Sequence, residues 1–214
     1  MTKYWGPLGW ATLHTVSAIY PETPTPAEQA LARQWIQSFA DCIACPTCQG
    51  HFKTMLDRYL GLVPDVFSSR REFVLFVLRA HNTVNRRLGK KIYTLDESFA
   101  ELRRWIPDTG VGRARRSEYI RYLRADWGRQ TNLAGVSALI RVRDLSMTEQ
   151  QYWGVRQFEW DTVRSTIPDS SDVLTPIVVD QRPAPTVLPT IRVQPQRFQA
   201  RAAAPSGLFS LISR

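Results

Sequence analysis

The sequence predicts an all-α fold, a four-helix bundle carrying a helical C-terminal extension and a Pro-rich tail. Two observations carry this expectation. Across residues 1–105 apolar side chains return at helical spacing, and capping or breaking residues punctuate them at short intervals. Four amphipathic helices with short connections are the pattern of a bundle.

The elements follow in order. Trp10, Leu13, His14 and Ser17 fall at i, i+3, i+4 and i+7, which puts an indole and an imidazole on one face of a first helix. "YPETPTP" (20–26) ends it. Thr25-Pro26-Ala27-Glu28 then has the form of a capping box with proline at the first helical position. The helix it opens carries Leu31, Trp35 and Phe39 on one stripe. A third helix is expected to start near Cys45, because Pro46 is tolerated only in a first turn. Cys48, Phe52, Met55, Leu56 and Tyr59 share a face of it, down to Gly61. Ser69-Arg70-Arg71-Glu72 offers a second capping box. Phe73, Phe76, Val77, His81, Val84, Asn85 and Leu88 then keep the helical period until Gly89.

"IPDTGVGRARR" (106–116) reads as a linker. From Ser117 to about Ile167 the pattern is compatible with helix but untidy, and it holds Trp127, Trp153 and Trp160. Beyond Pro168 the chain turns Pro-rich, with two similar pieces, "VLTPIVV" (173–179) and "VLPTIRV" (187–193). Proline confines such pieces to extended or edge positions, or leaves them disordered. The expected organisation is therefore a bundle domain over 1–105, a helical extension over 106–167 and a tail over 168–214.

An apolar fraction of 43% suffices for a core, and no stretch approaches the roughly 20 apolar residues of a membrane helix. The start, "MTKYWGPLGW", has no basic region followed by an apolar one, and residues 1–20 hold one lysine and no arginine, so neither a secretory signal nor a mitochondrial presequence is expected. The net charge of +9 is spread along the chain. Without zinc-finger spacing or an aromatic RNA-binding signature it reads as a solvated basic surface, and nucleic acid is not an expected partner.

All three cysteines, Cys42, Cys45 and Cys48, lie within "ADCIACPTCQGHF" (40–52). A zinc or iron–sulfur site is one reading of this spacing, but it lacks a fourth cysteine, and Pro46 with its helical context argues for a redox pair. A thioredoxin-like motif requires a βαβ pattern, and no strand precedes these residues. The third reading is a redox disulfide inside a helical bundle. Cys45 and Cys48 are neighbours at i and i+3 at a helix start, where a thiolate is favoured. Cys48 shares the apolar face and points inward, while Cys45, one turn nearer the end, is the more open of the two. A dithiol must be regenerated, and an organic cofactor carries that step.

Four stretches together resemble the Erv/ALR family of flavin-dependent sulfhydryl oxidases. "WGPLGWATLHT" (5–15) is similar to the family's opening W-G-x-x-x-W-x-x-L-H, and "YPETPT" (20–25) to the segment after it. "CPTCQGHF" (45–52) is similar to the active C-x-x-C with its downstream histidine. "HNTVNRRLGKK" (81–91) is similar to H-N-x-V-N-x-x-L-x-K. The resemblance spans about residues 4–105. It implies a bundle that holds FAD and a reaction in which two thiols and dioxygen give a disulfide and hydrogen peroxide. Carried over by position, Cys45 is the interchange sulfur and Cys48 the flavin-proximal one. Trp5, Gly6, Trp10, His14, Tyr20, His51, His81, Asn82, Val84, Asn85, Leu88, Lys90 and Lys91 are the implied cofactor contacts, the two lysines facing the pyrophosphate.

The departures from that family matter. Many members add a structural disulfide after the H-N-x-V-N helix and a shuttle cysteine pair in a flexible arm, and this chain has neither. Electrons are then expected directly at Cys45, from protein thiols or a separate redox shuttle protein. A homodimer is implied, held by packing alone. Cys42 reads as a small buried residue, with a resolving thiol as the alternative. The single C-x-x-C with an unusual extension is similar to forms encoded by large DNA viruses, which implies host cytoplasm or virion, with the mitochondrial intermembrane space or another organelle as the alternative. A second reading of a different class is a structural or virion scaffold on the same fold, binding virion or other proteins through residues 106–214.

Overall fold

Helix α1 (Thr2–Ile19) is the axis of the molecule. In a computed structural model of the chain, Leu8, Ala11, Leu13, Val16, Ala18 and Ile19 are all buried, and from Ala11 onward this helix is covered on every side. Its buried hydroxyls are satisfied inside the helix. Thr12 Oγ1 donates to the Leu8 carbonyl at 2.9 Å and Thr15 Oγ1 to the Ala11 carbonyl at 2.8 Å. The structure describes residues 2–169 together with Leu174 and Ile177.

Helix α2 (Pro26–Asp41) opens on the expected capping box: Thr25 accepts from the Glu28 N–H, and the Glu28 carboxylate accepts from the Thr25 N–H. Helix α3 (Pro46–Leu62) begins with Pro46 in its first turn, and Cys45 is its N-cap. Helix α4 (Arg70–Arg87) is capped by Ser69, whose hydroxyl accepts from the Glu72 N–H, and it buries Phe73 to Leu78 without a break. It stops at Gly89, which holds φ 63°, a conformation that glycine adopts without strain.

Among the described residues no strand occurs, so the all-α expectation stands. The extent of the helical unit differs from the expected four-helix bundle. A helix α5 (Leu95–Trp105), unforeseen in the periodicity, is opened by a full capping box of Thr94 and Glu97. The reading of 106–116 as a linker is also corrected. Helix α6 (Thr109–Trp127) starts inside it, with Asp108 as N-cap accepting from the Val111 N–H. A Cβ on Gly112 would stand 3.0 Å from Thr15 Cγ2 and 3.2 Å from the Phe158 ring. Gly112 marks a close helix approach.

Helix α7 (Leu133–Thr148), a π-helical turn (Glu149–Trp153) and a short helix α8 (Trp160–Ser165) follow. Helix α1 packs between α4 and α6, and α2 packs against α3 and α7. The described residues form one compact unit, so the extension shares the core of the first 105 residues. Tyr119, Leu123, Trp127 and Trp153 are buried in that core. Of the "VLTPIVV" piece only Leu174 and Ile177 are described; both are buried, and the Ile177 N–H donates to Thr83 Oγ1 on α4 at 2.8 Å. The remainder of the expected tail lies outside the described residues.

Candidate redox site

The α2–α3 corner presents the sulfurs of Cys45 and Cys48 in different surroundings. Cys45 has extended backbone (φ −134°, ψ 111°), the conformation of an N-cap, and its Sγ accepts from the Cys48 N–H at 3.2 Å. The two form a disulfide across the first turn of α3, with 5.2 Å between Cα atoms. When the pair is reduced, the Cys45 sulfur sits at a helix N-terminus beside a ready N–H donor, and both features favour its thiolate. Cys42 differs. It is fully buried, its Sγ faces the Phe39 carbonyl at 3.6 Å, and burial with Asp41 nearby pushes its thiol up to about 12. That thiol stays protonated at neutral pH.

Behind Cys48 a cavity of about 810 Å³ opens between α1, α3 and α4. Trp5, Gly6, Trp10 and Leu13 wall it from α1, Phe39 and Ile43 from the end of α2, and Cys48, His51 and Phe52 from α3. Val84, Asn85, Leu88 and Lys90 complete it with Trp105. Cys48 lines this cavity and Cys45 does not. A second hollow of about 470 Å³ adjoins it, lined by His14, Asn82, Lys91, Tyr93, Glu101 and Arg104 among others. His81, Asn85, Lys90 and Trp105 belong to both.

Two histidines and a tryptophan form the wall between them. The His81 ring stacks on the Trp10 indole, 4.1 Å between centroids and 9° from parallel. His14 Nε2 meets His81 Nδ1 at 2.9 Å, so one nitrogen carries the proton and the other accepts it. Burial holds both rings neutral. It takes His14 well below its ordinary value, with His81 adding to the effect, and lowers His81 to about 4, with Lys90 adding. His51, one turn beyond Cys48, is exposed and more mildly lowered, by partial burial and then by Arg87.

The two asparagines of "HNTVN" act differently. The Asn82 amide is fully engaged with the Tyr93 backbone, donating to its carbonyl at 2.8 Å and accepting from its N–H at 3.1 Å. It fastens to α4 the loop that bears Lys90 and Lys91. Asn85 is also buried, yet among the described residues its amide has no hydrogen-bond partner in the chain, and it lines both hollows. An unpaired amide at that junction suits a polar ligand atom. The whole donor set fits a flat apolar ring joined to an anionic tail: aromatic walls in one hollow, and Lys90, Lys91 and Arg104 around the other.

Tyr20 is the exception among the expected contacts. It lines neither hollow, because its hydroxyl donates to the Phe67 carbonyl at 2.8 Å and its ring packs edge-on to Phe73 in the core. Conversely, Ile43, Arg87, Arg104 and Trp105 line the site without having been foreseen. The Thr94–Glu97 capping box was the available signal for Arg104 and Trp105, since it announces the helix that ends with them.

Residues 8–106 match the Erv1 / Alr family. The chain is 34% identical over 94 residues to the FAD-linked sulfhydryl oxidase of African swine fever virus (isolate Tick/Malawi/Lil 20-1/1983), covering 44% of this chain and 76% of that protein. It is 34% identical over 104 residues to the putative FAD-linked sulfhydryl oxidase 347L of Invertebrate iridescent virus 6, covering 47% of this chain and 91% of the relative. The chain belongs to the Erv1/Alr family. A plant member, the FAD-linked sulfhydryl oxidase ERV1 of Arabidopsis thaliana, is 33% identical over 96 residues, 45% of this chain and 47% of that protein. The Erv1/Alr match contains all three cysteines, the histidine pair and the junction at Asn85, and it stops before α6.

Proposed function

We propose that the chain is a flavin-linked thiol oxidase that makes disulfides in proteins. Two thiols and one dioxygen give one disulfide and one hydrogen peroxide. The observation that carries this reading is the asymmetry of the pair: Cys48 borders the cavity, and Cys45, bonded to it, stands at the helix N-terminus outside that cavity.

The sulfur chemistry follows from the position of each atom. A substrate thiolate attacks Cys45 Sγ, the Cys45–Cys48 bond breaks, and Cys48 leaves as a thiolate toward the cavity. A second substrate thiol attacks the substrate sulfur of the mixed disulfide. Cys45 leaves as a thiolate, stabilised by the Cys48 N–H and the helix N-terminus, and the product disulfide departs. FAD held there would supply the two-electron acceptor that regenerates the Cys45–Cys48 disulfide, with dioxygen as the final acceptor. Trp5, Trp10, His81 and Leu88 would flank its ring system, Asn85 would meet its polar middle, and Lys90, Lys91 and Arg104 would face its phosphates. The neutral His14–His81 pair keeps charge out of the stacked wall.

The substrates in this reading are protein thiols, or a shuttle protein that delivers their electrons to Cys45. The relatives from African swine fever virus and the iridescent virus support a virus-encoded enzyme acting in host cytoplasm or virion. The test uses the purified full chain. It is expected to be yellow, with a flavin spectrum, and to consume dioxygen when given dithiothreitol. A colourless protein that takes up no added FAD and consumes no dioxygen overturns the reading.

A further inference from the structure

The extension reaches the redox corner through one hydrogen bond. Between α2 and α3 the chain runs without helix from Cys42 to Cys45, and this short loop decides where the Cys45 sulfur stands. Cys42 is fully buried, so its carbonyl has no access to water. The Trp127 indole Nε1–H, at the C-terminal end of α6, donates to that carbonyl at 2.8 Å across 85 residues of sequence. Trp127 is itself buried, so solvent does not compete for the bond. A second contact comes from α7, where Arg141 lies 3.7 Å from Asp41 at the end of α2. Trp127 lies beyond the family match at residues 8–106.

We infer that Trp127 is a positioning residue for the Cys45–Cys48 couple: by holding the Cys42 carbonyl it fixes the loop that carries Cys45 and so raises the effective concentration of one thiol at the other. The reasoning compares the two redox states. In the disulfide the S–S bond already restrains the loop, so losing the clamp frees little. In the dithiol nothing covalent restrains it, and losing the clamp lets Cys45 move away from Cys48. The exchange, enzyme disulfide plus two thiols giving enzyme dithiol plus substrate disulfide, then shifts toward the dithiol. The inference rests on the oxidase reading only in treating Cys45 and Cys48 as the exchanging pair.

The test is Trp127→Phe in the full chain, equilibrated without dioxygen in buffers of reduced and oxidised dithiothreitol, with the thiol state of Cys45 and Cys48 trapped by alkylation and read by mass. The disulfide is expected to become five- to tenfold easier to reduce, a rise of about 20–30 mV. The control is Trp160→Phe. It removes the same kind of bond, indole N–H to the buried Ile106 carbonyl at 2.7 Å, at the end of α5 and not on the α2–α3 loop. A general loss of packing would move both variants. A shift in Trp127→Phe alone supports the assignment, whereas equal potentials in all three proteins, or an equal shift in Trp160→Phe, overturn it. A second measurement needs no variant. Hydrogen exchange at the Trp127 indole is expected to be slow in both the oxidised and the reduced chain, and rapid exchange in the reduced chain also overturns the clamp. Failure of the oxidase reading itself would show separately, as a wild-type protein without a flavin spectrum.

Discussion

The imidazole of His81 lies flat against the indole of Trp10, 4.1 Å between ring centroids, while its Nδ1 faces His14 Nε2 at 2.9 Å. The two histidines come from helices that are 67 residues apart in sequence, and both are held neutral.

That arrangement makes stability depend on pH in one direction. His81 titrates near 4 in the folded chain and near 6.5 unfolded, and His14 is lowered in the same sense, so the unfolded chain binds more protons across that window. The stabilisation is complete above pH 6.5 and is lost as pH falls toward 4. The melting temperature is expected to hold level above pH 6.5 and to decline below it. In His81→Gln the decline between pH 6.5 and 4 is shallower. A variant whose melting curve tracks the wild type through that window would show that the pair does not titrate there.

The three cysteines separate by environment. Cys45→Ser and Cys48→Ser are each expected to lower turnover with dithiothreitol by several orders of magnitude, because each removes an atom whose bond is made and broken. Cys42→Ser is expected to leave turnover with this small thiol within about twofold and to alter stability by about 1 kcal/mol, since the serine hydroxyl can keep the bond to the Phe39 carbonyl. Oxygen uptake and thermal melting read these outcomes. Loss of turnover in Cys42→Ser, with melting unchanged, would assign that thiol a resolving role.

Much of this was legible in the chain because it is local. The Thr25 box, the Pro46 start and the inward faces of Trp10, His14 and His81 each depend on residues within two helical turns. What was not legible depends on partners distant in sequence. Tyr20 was expected at the cofactor, but its hydroxyl found the carbonyl of Phe67. Trp127 carried no mark that its indole would reach Cys42. The stretch 106–116 reads as a linker although it opens α6, because glycine suits a loose segment and a close helix contact alike, and at Gly112 only the facing Thr15 decides which.

That last point gives a direct contrast. Gly112→Ala would put a methyl 3.0 Å from Thr15 Cγ2 and 3.2 Å from the Phe158 ring, both within the core around α1. The expected loss is about 1–3 kcal/mol, or several degrees of melting temperature. Gly61→Ala, on an exposed turn of α3 with nothing within 4 Å of the new methyl, is expected to stabilise the chain by up to about 1 kcal/mol. If both substitutions raised the melting temperature, the α1–α6 contact would be looser than described.

The buried ion pair of Arg116 and Glu149 is the most sensitive joint of the extension. Arg116 on α6 donates to both carboxylate oxygens of Glu149, the first residue of the π-helical turn, at 2.8 and 3.0 Å. Removing one partner leaves an uncompensated charge in the interior. Arg116→Met or Glu149→Leu alone is therefore expected to cost about 3–5 kcal/mol, roughly 6–20 °C of melting temperature. Among the described residues Arg116 Nη1 has no acceptor even in the intact pair, so they do not fully compensate the guanidinium. It follows that the double replacement Arg116→Met with Glu149→Leu should recover most of the loss, because it removes both charges and refills the volume. Since α6 also carries the Trp127 clamp, the single variants should loosen the redox corner, while the double variant should restore it. Melting curves on the four proteins decide the matter: additive losses in the double variant would mean that the two side chains contribute separately and not as a pair.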